Sequence, residues 1–170
     1  MRSFYSVVTL SLTLCLMQGA NADNKSILHQ YMVDNNSQQL LPSIKTEFFS
    51  QLIDKNNPTL GTFKQRFFTD TSFSQNDSSP VFFYICGEGT CSARNLNSAI
   101  RVHARKHHAK LVALEHRYYG VSMPTKTLSA SDLKYLSTER ALDDLVRFQR
   151  FMMEQRGWQG KWVAFGGSYP

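Results

Sequence analysis

The chain predicts an α/β fold, a mostly parallel sheet with helices on its faces. Three observations point there. Short uninterrupted apolar runs, Val81 to Cys86, Leu111 to Leu114 and Trp162 to Phe165, suit strands buried on both faces. Amphipathic segments of helical period separate them. A loop follows each run (Gly87–Thr90, Glu115–Gly120, Gly166–Ser168), and in a parallel sheet all such loops gather at the carboxyl ends of the strands.

Taken in order, residues 1–22 read as a secretory signal. Arg2 is the positive start, Val7 to Met17 the apolar stretch, and Ala20-Asn21-Ala22 the cleavage site. The apolar stretch is too short to span a bilayer comfortably, so no stable membrane anchor is expected. The protein is expected to be exported, to a secreted, periplasmic or lysosomal destination. Residues 23–60 are polar and mixed, and are expected to form an irregular N-terminal arm with a turn at Asn57-Pro58. The core is expected over 61–170. Phe63 to Phe68 reads as a strand, and Gln75 to Pro80 as a turn. Leu96, Ala99, Ile100, His103 and Ala104 recur at helical spacing, with Arg101, Arg105 and Lys106 on other faces. Ser137 caps the next helix, Glu139 lies in its first turn, and Gly157 is its stop. Ala141, Leu145, Phe148 and Met152 are its apolar stripe.

A length of 170 residues and an apolar share of 42% allow a core in one domain or in part of a larger one. The net charge of +6 is concentrated in Arg101, Arg105, Lys106 and Lys110, interleaved with His103, His107 and His108. For an exported chain this reads as a solvated helix face with cations near its C-terminal end, and no nucleic-acid partner is expected. With Cys15 removed in the signal, Cys86 and Cys91 are left. An oxidising compartment permits a disulfide between them around Gly87-Glu88-Gly89-Thr90; pairing of each with a cysteine further along a longer protein is the alternative. No histidine or cysteine partners stand at ligand spacing, so neither a metal nor a cofactor is expected. Sequons at Asn24, Asn35 and Asn76 matter where the source glycosylates its secreted proteins.

The last ten residues, Lys161 to Pro170, are a short apolar run, two glycines and a serine. This resembles the nucleophile elbow of an α/β-hydrolase, in which a serine on a sharp strand-to-helix turn exposes its Oγ. Gly166 lets strand and helix pass closely. Pro170 departs from the usual second glycine, but proline is tolerated in the first turn of a helix and leaves the N–H of Tyr169 intact. That N–H is the expected oxyanion donor, and Gly87 or Gly89 is expected to help supply the second. In this fold the acid and the base follow the serine. The 170 residues are therefore expected to be the N-terminal half of the fold, ending at the elbow and inactive alone.

Three segments together carry a closer resemblance. Phe83-Tyr84-Ile85-Cys86-Gly87-Glu88-Gly89, Glu115-His116-Arg117-Tyr118-Tyr119-Gly120 and Gly166-Gly167-Ser168-Tyr169 resemble, in order and spacing, the serine peptidases that include lysosomal Pro-X carboxypeptidase, dipeptidyl peptidase II and thymus-specific serine protease. Leu136 to Leu142 is similar to that family's helix start. The resemblance covers most of 63–170. It implies an α/β-hydrolase core, a peptide substrate cut near a chain end, Ser168 as nucleophile and Tyr169 as oxyanion donor. It assigns no residue here to the acid or the base.

His116 precedes the serine and lies at a strand end, so it reads as a structural histidine bonded within its loop, not as the base. Arg117 reads as a structural ion-pair or hydrogen-bond partner. Glu88 is expected either to receive a substrate amine or to fix its loop. Two other functions fit the same residues: a secreted esterase or lipase using the same elbow, and a non-catalytic binding protein on a hydrolase-like fold.

Overall fold

A computed structural model describes residues 43–167. The expected signal, 1–22, lies outside the described residues. In chain order the elements are β1 (Lys45–Leu52), β2 (Thr62–Asp70), β3 (Val81–Ile85), α1 (Ala99–Lys106), β4 (Lys110–Leu114), α2 (Thr138–Arg156) and β5 (Trp162–Phe165). Short 3₁₀ turns lie at Pro58–Leu60, Ala93–Asn95 and Leu133–Tyr135.

The strands form one sheet in the order β1-β2-β4-β3-β5. β3 lies parallel to both β4 and β5, while β2 is antiparallel to both β1 and β4. The sheet is thus mixed, with its parallel part where the uninterrupted apolar runs fall. Every residue of β4 is buried, as expected for a central strand flanked on both faces. β5 is only half-buried along its length, contrary to the expectation of a third fully buried strand. Among the described residues it pairs with β3 alone.

Side-chain alternation along the strands divides the core in two. Phe82, Leu111 and Ala113 pack with Ile100 and Ala104 of α1 on one face. Val81, Phe83, Val112 and Leu114 pack with Phe148 and Met152 of α2 on the other. The second face is rich in rings: Phe67 meets Phe148 edge-on with centroids 5.0 Å apart, and Phe83 meets Trp162 at 5.6 Å. Such pairs add about 0.5–1.5 kcal/mol each beyond the area they bury. α2 begins and ends where the sequence places its caps. The Arg140 N–H donates to Ser137 Oγ, and Gly157 closes the helix in the left-handed region at φ 65°.

Two expectations need correction. The arm is not irregular throughout: β1 forms within it and pairs with all but the last residue of β2. Its composition hid it, because its buried residues are Phe49 and the polar Gln51, and the others are polar or exposed except the half-buried Leu52. Nor is the basic cluster a purely solvated face. Arg105 and Lys106 are exposed, but Arg101 and Lys110 are buried. Arg101 Nη1 donates to Asp70 Oδ2 at 2.5 Å, and Lys110 Nζ donates to the carbonyls of Asn76 (2.7 Å) and Asp77 (3.0 Å). Burial pushes the Asp70 carboxyl up, but the Ser72 N–H, Arg101 and Ser43 together outweigh it and hold it below its ordinary value.

Removing Arg101 strands that carboxylate in the core. Arg101→Ala should cost about 3–5 kcal/mol of unfolding free energy, and Lys106→Ala less than about 0.5 kcal/mol. Urea denaturation of the two variants checks the contrast.

Candidate active site

The two crossovers diverge. The loop after β3 leads to α1 on one face of the sheet, and the loop after β4 leads to α2 on the other. Loops that part in this way open a crevice at the carboxyl ends of adjacent strands, where ligands bind in open α/β sheets. Both loops are motif segments of the sequence.

The loop after β3 is short and tied down. Cys86 and Cys91, each 2% exposed, are joined in a disulfide, with Cα atoms 5.8 Å apart. The Cys86 N–H donates to the Leu114 carbonyl, extending the β3–β4 ladder. Within the loop the Gly89 N–H turns back onto the Gly87 carbonyl at 2.8 Å. Gly89 therefore spends its donor locally in this conformation, and Gly87 is the better placed of the two oxyanion candidates. Glu88 and Gly89 are exposed at the tip.

Glu115 fixes the far end of this loop. Its carboxylate is fully buried and accepts four hydrogen bonds. Oε1 takes the Arg66 guanidinium at 2.5 Å and the Cys91 N–H at 3.1 Å. Oε2 takes the Val121 N–H at 3.1 Å and the Ser122 hydroxyl at 2.7 Å. Arg66 also donates to the Cys91 carbonyl at 2.9 Å. One side chain thus joins β2, the loop after β3 and the loop after β4. Gly120 makes room for it: at φ 55°, a Cβ there would stand 2.0 Å from Glu115 Oε1.

Arg117 projects to the opposite side and makes a second knot. It donates to both carboxylate oxygens of Asp144 on α2, at 2.8 and 2.6 Å, and to the carbonyls of Tyr135, Ile53 and Leu52. Gln65 and Gln51 complete the buried cluster. Arg117 is thus the structural ion-pair partner that the sequence suggested. Burial pushes Asp144 up to about 6, against the pull of the Arg117 guanidinium. A cavity of about 290 Å³ opens beside this pair, lined by Gln51, Lys55, Asp143 and Arg147. It lies at the β1 edge, across the sheet from β5.

His116 is buried between these knots, with Nδ1 2.7 Å from the Arg117 carbonyl and its ring edge-on to Tyr119 at 5.4 Å. Burial lowers its pKa, and the charge of Glu88 works against that. Tyr118 holds a left-handed backbone at φ 68°, and its hydroxyl donates to the Asp132 carbonyl. No cluster of metal-ligating side chains is present among the described residues. No helix among them is long and apolar enough to cross a membrane.

Ser168 and Tyr169 lie outside the described residues. The description ends at Gly167, which is exposed and where an added methyl group would meet nothing within 4 Å. β5 leads to this point beside β3, with Phe165 paired to Tyr84. Counted along the sequence alone, Gly87 and Ser168 follow this paired position by equal numbers of residues. Sequence reasoning missed Glu115 as the organising group, its partner Arg66, and Asp144. The available signals were polar residues on apolar stripes. Gln65 shares the face of Phe63 and Phe67, and Asp144 falls one turn from Phe148.

This scaffold, with an antiparallel pair leading into three parallel strands and crossovers to both faces, is a partial α/β fold. Residues 51–170 match the serine carboxypeptidase S28 family, and the chain belongs to it. It is 35% identical to the probable serine protease EDA2 of Arabidopsis thaliana, over 85% of this chain and 32% of that protein. A putative serine protease of Caenorhabditis elegans is 38% identical over 78% of this chain and 25% of its own length. Lysosomal Pro-X carboxypeptidase of Bos taurus is 34% identical over 74% of this chain and 25% of its own length. The chain spans about a quarter to a third of the curated relatives it matches. An arylesterase structure covers 84% of this chain at 10% identity with a TM-score of 0.44, too slight a likeness to favour ester hydrolysis.

Gly120→Ala should push Glu115 off its partners and cost more than about 3 kcal/mol, with new proteolytic sensitivity in 87–91; limited proteolysis and urea unfolding measure both. The Asp144 shift has a definite sign. A carboxyl with a higher pKa folded than unfolded takes up a proton on folding. Its stabilisation is full below the unfolded value of 3.8 and is lost as pH rises through about 6. From about pH 4 to about pH 7, stability should fall by about 3 kcal/mol relative to Asp144→Asn, read as the difference between two pH–stability curves.

Proposed function

We propose that the chain carries the nucleophile-bearing part of an exported serine-type exopeptidase. The observation that supports it most is the family match over 51–170, which ends on the Gly166-Gly167-Ser168-Tyr169 segment. The register accords with it, because β5, which ends just before that segment in sequence, pairs with β3, whose following loop is tethered. In this reading Ser168 Oγ attacks the peptide carbonyl and passes its proton to a base outside residues 1–170. The oxyanion is met by the Tyr169 N–H and by an amide of the loop after β3, chiefly Gly87; each such donor contributes about 3 kcal/mol. The amine leaves, and water then hydrolyses the acyl-enzyme.

The export reading rests on Arg2, the apolar stretch and Ala20-Asn21-Ala22, and accords with a relative named for the lysosome. A serine without its base is a weak nucleophile, so the 170 residues alone should be catalytically silent. Fluorophosphonate titration tests the reading at one residue. The 170-residue chain should not be labelled rapidly. The protein expressed with whatever coding sequence follows Pro170 should be labelled stoichiometrically at Ser168 and cleave peptides, and Ser168→Ala should lower kcat by at least about 10⁴-fold. Undiminished peptide cleavage by that variant would refute the assignment.

A further inference from the structure

The cavity at the β1 edge takes no part in the chemistry proposed above, and its lining is basic. One wall is the end of β1 and the turn after it, with Lys55; the other is α2, with Arg140, Arg147 and Arg150. Its floor is the Arg117–Asp144 pair, whose side chains are 2% and 4% exposed. Five cations thus line it against two carboxylates, Asp143 and Asp144.

Every carboxylate at the cavity already has a cation. Asp144 is neutralised by Arg117. Both oxygens of Asp143 lie close to Lys55 Nζ, at 2.8 and 2.7 Å, and Glu139 stands 3.6 Å from the same ammonium. Arg140 Nη1 is 2.7 Å from Asp54 Oδ1, yet this buried nitrogen makes no hydrogen bond. Arg147 and Arg150 differ from the rest: among the described residues neither has a carboxylate partner. They stand three residues apart on α2 and so share one face of it, where like charges repel. Arg147 also lies over the Phe49 ring, 5.8 Å from its centroid, which holds its guanidinium against β1. Two guanidinium groups therefore lack an anion, and a third has a buried nitrogen without an acceptor.

We propose that this cavity binds a doubly charged tetrahedral oxyanion, as phosphate or a small phosphate ester, held by Arg147 and Arg150. The planar fork of a guanidinium donates two parallel N–H bonds to such a group. The volume of about 290 Å³ is at the lower limit for small-molecule sites, about 300–1,000 Å³, which suits an ion or a small ester. An anion bound there joins α2 to β1 and adds stability to the folded state.

The test uses the protein expressed with whatever coding sequence follows Pro170. Inorganic phosphate is the probe, glycerol phosphate the ester, and chloride at equal ionic strength the reference. Phosphate should raise the thermal unfolding midpoint saturably and give a heat of binding in titration calorimetry. Whichever of the two phosphates binds more tightly identifies the source. Arg147→Gln and Arg150→Gln should each weaken binding at least about tenfold. Arg150→Lys should weaken it less, and Lys106→Gln, which removes an exposed cation of α1, should leave it unchanged. Salts excluded from protein surfaces also stabilise, but without saturation and equally in every variant. Equal effects of phosphate on the wild type and both glutamine variants of α2, or no saturable binding, overturn the inference and leave the peptidase reading standing.

Discussion

A single carboxylate without access to water organises the carboxyl end of the parallel strands. Glu115 is desolvated completely, a state that costs several kcal/mol unless every lone pair is met. Its four partners come from three segments, and each finds in it the bond that it too would otherwise lack. The arrangement is therefore all-or-none. Moving any one segment leaves a buried charge and at least one buried donor unmet, so the loops after β3 and β4 have little freedom to drift. Apolar packing could supply comparable stability, but it would not fix the direction of a backbone amide.

The neighbouring residues of the same motif extend this principle to the other face. The chain leaves the extended conformation after Leu114, so Glu115 and Arg117 carry opposite charges to different partners, Arg66 and Asp144. Glu115 secures the sheet to the loop after β3, and Arg117 secures the β4 loop to α2 and β1. His116 between them is held by its own loop. The Glu115–Gly120 run is thus mainly a double anchor. Its specificity in sequence reflects the demands of burying two ion pairs within three residues of each other.

The sequence disclosed much of this fold and rather less of its site. Central strands were legible because burial on both faces leaves an uninterrupted apolar run, as in Leu111 to Leu114 of β4. The limits of α2 were legible because Ser137 and Gly157 act locally on the backbone. β1 was not, since Gln51 faces inward where an apolar residue would have completed the alternation. The pairs Arg101–Asp70 and Arg66–Glu115 were hidden for another reason. Their members are 31 and 49 residues apart, and periodicity carries no information about which distant residue will neutralise a charge. The glycines and cysteines of the loop after β3 could be read as a motif, but the group that holds them could not.

The same anchoring bears on how the proposed chemistry could sit beside a half-buried strand. β5 is half-exposed among the described residues and has one neighbour there, so it cannot by itself locate a reacting atom. Its register with β3 can. β3 in turn is fixed at its carboxyl end by the disulfide and, through Cys91, by Glu115. Accuracy is thus passed outward from a buried charge to a tethered loop, and from that loop's strand to the serine-bearing one. In the proposed site, the amide of the loop after β3 would be oriented before substrate arrives. That is the condition under which such a donor lowers a barrier instead of being reorganised by the reaction.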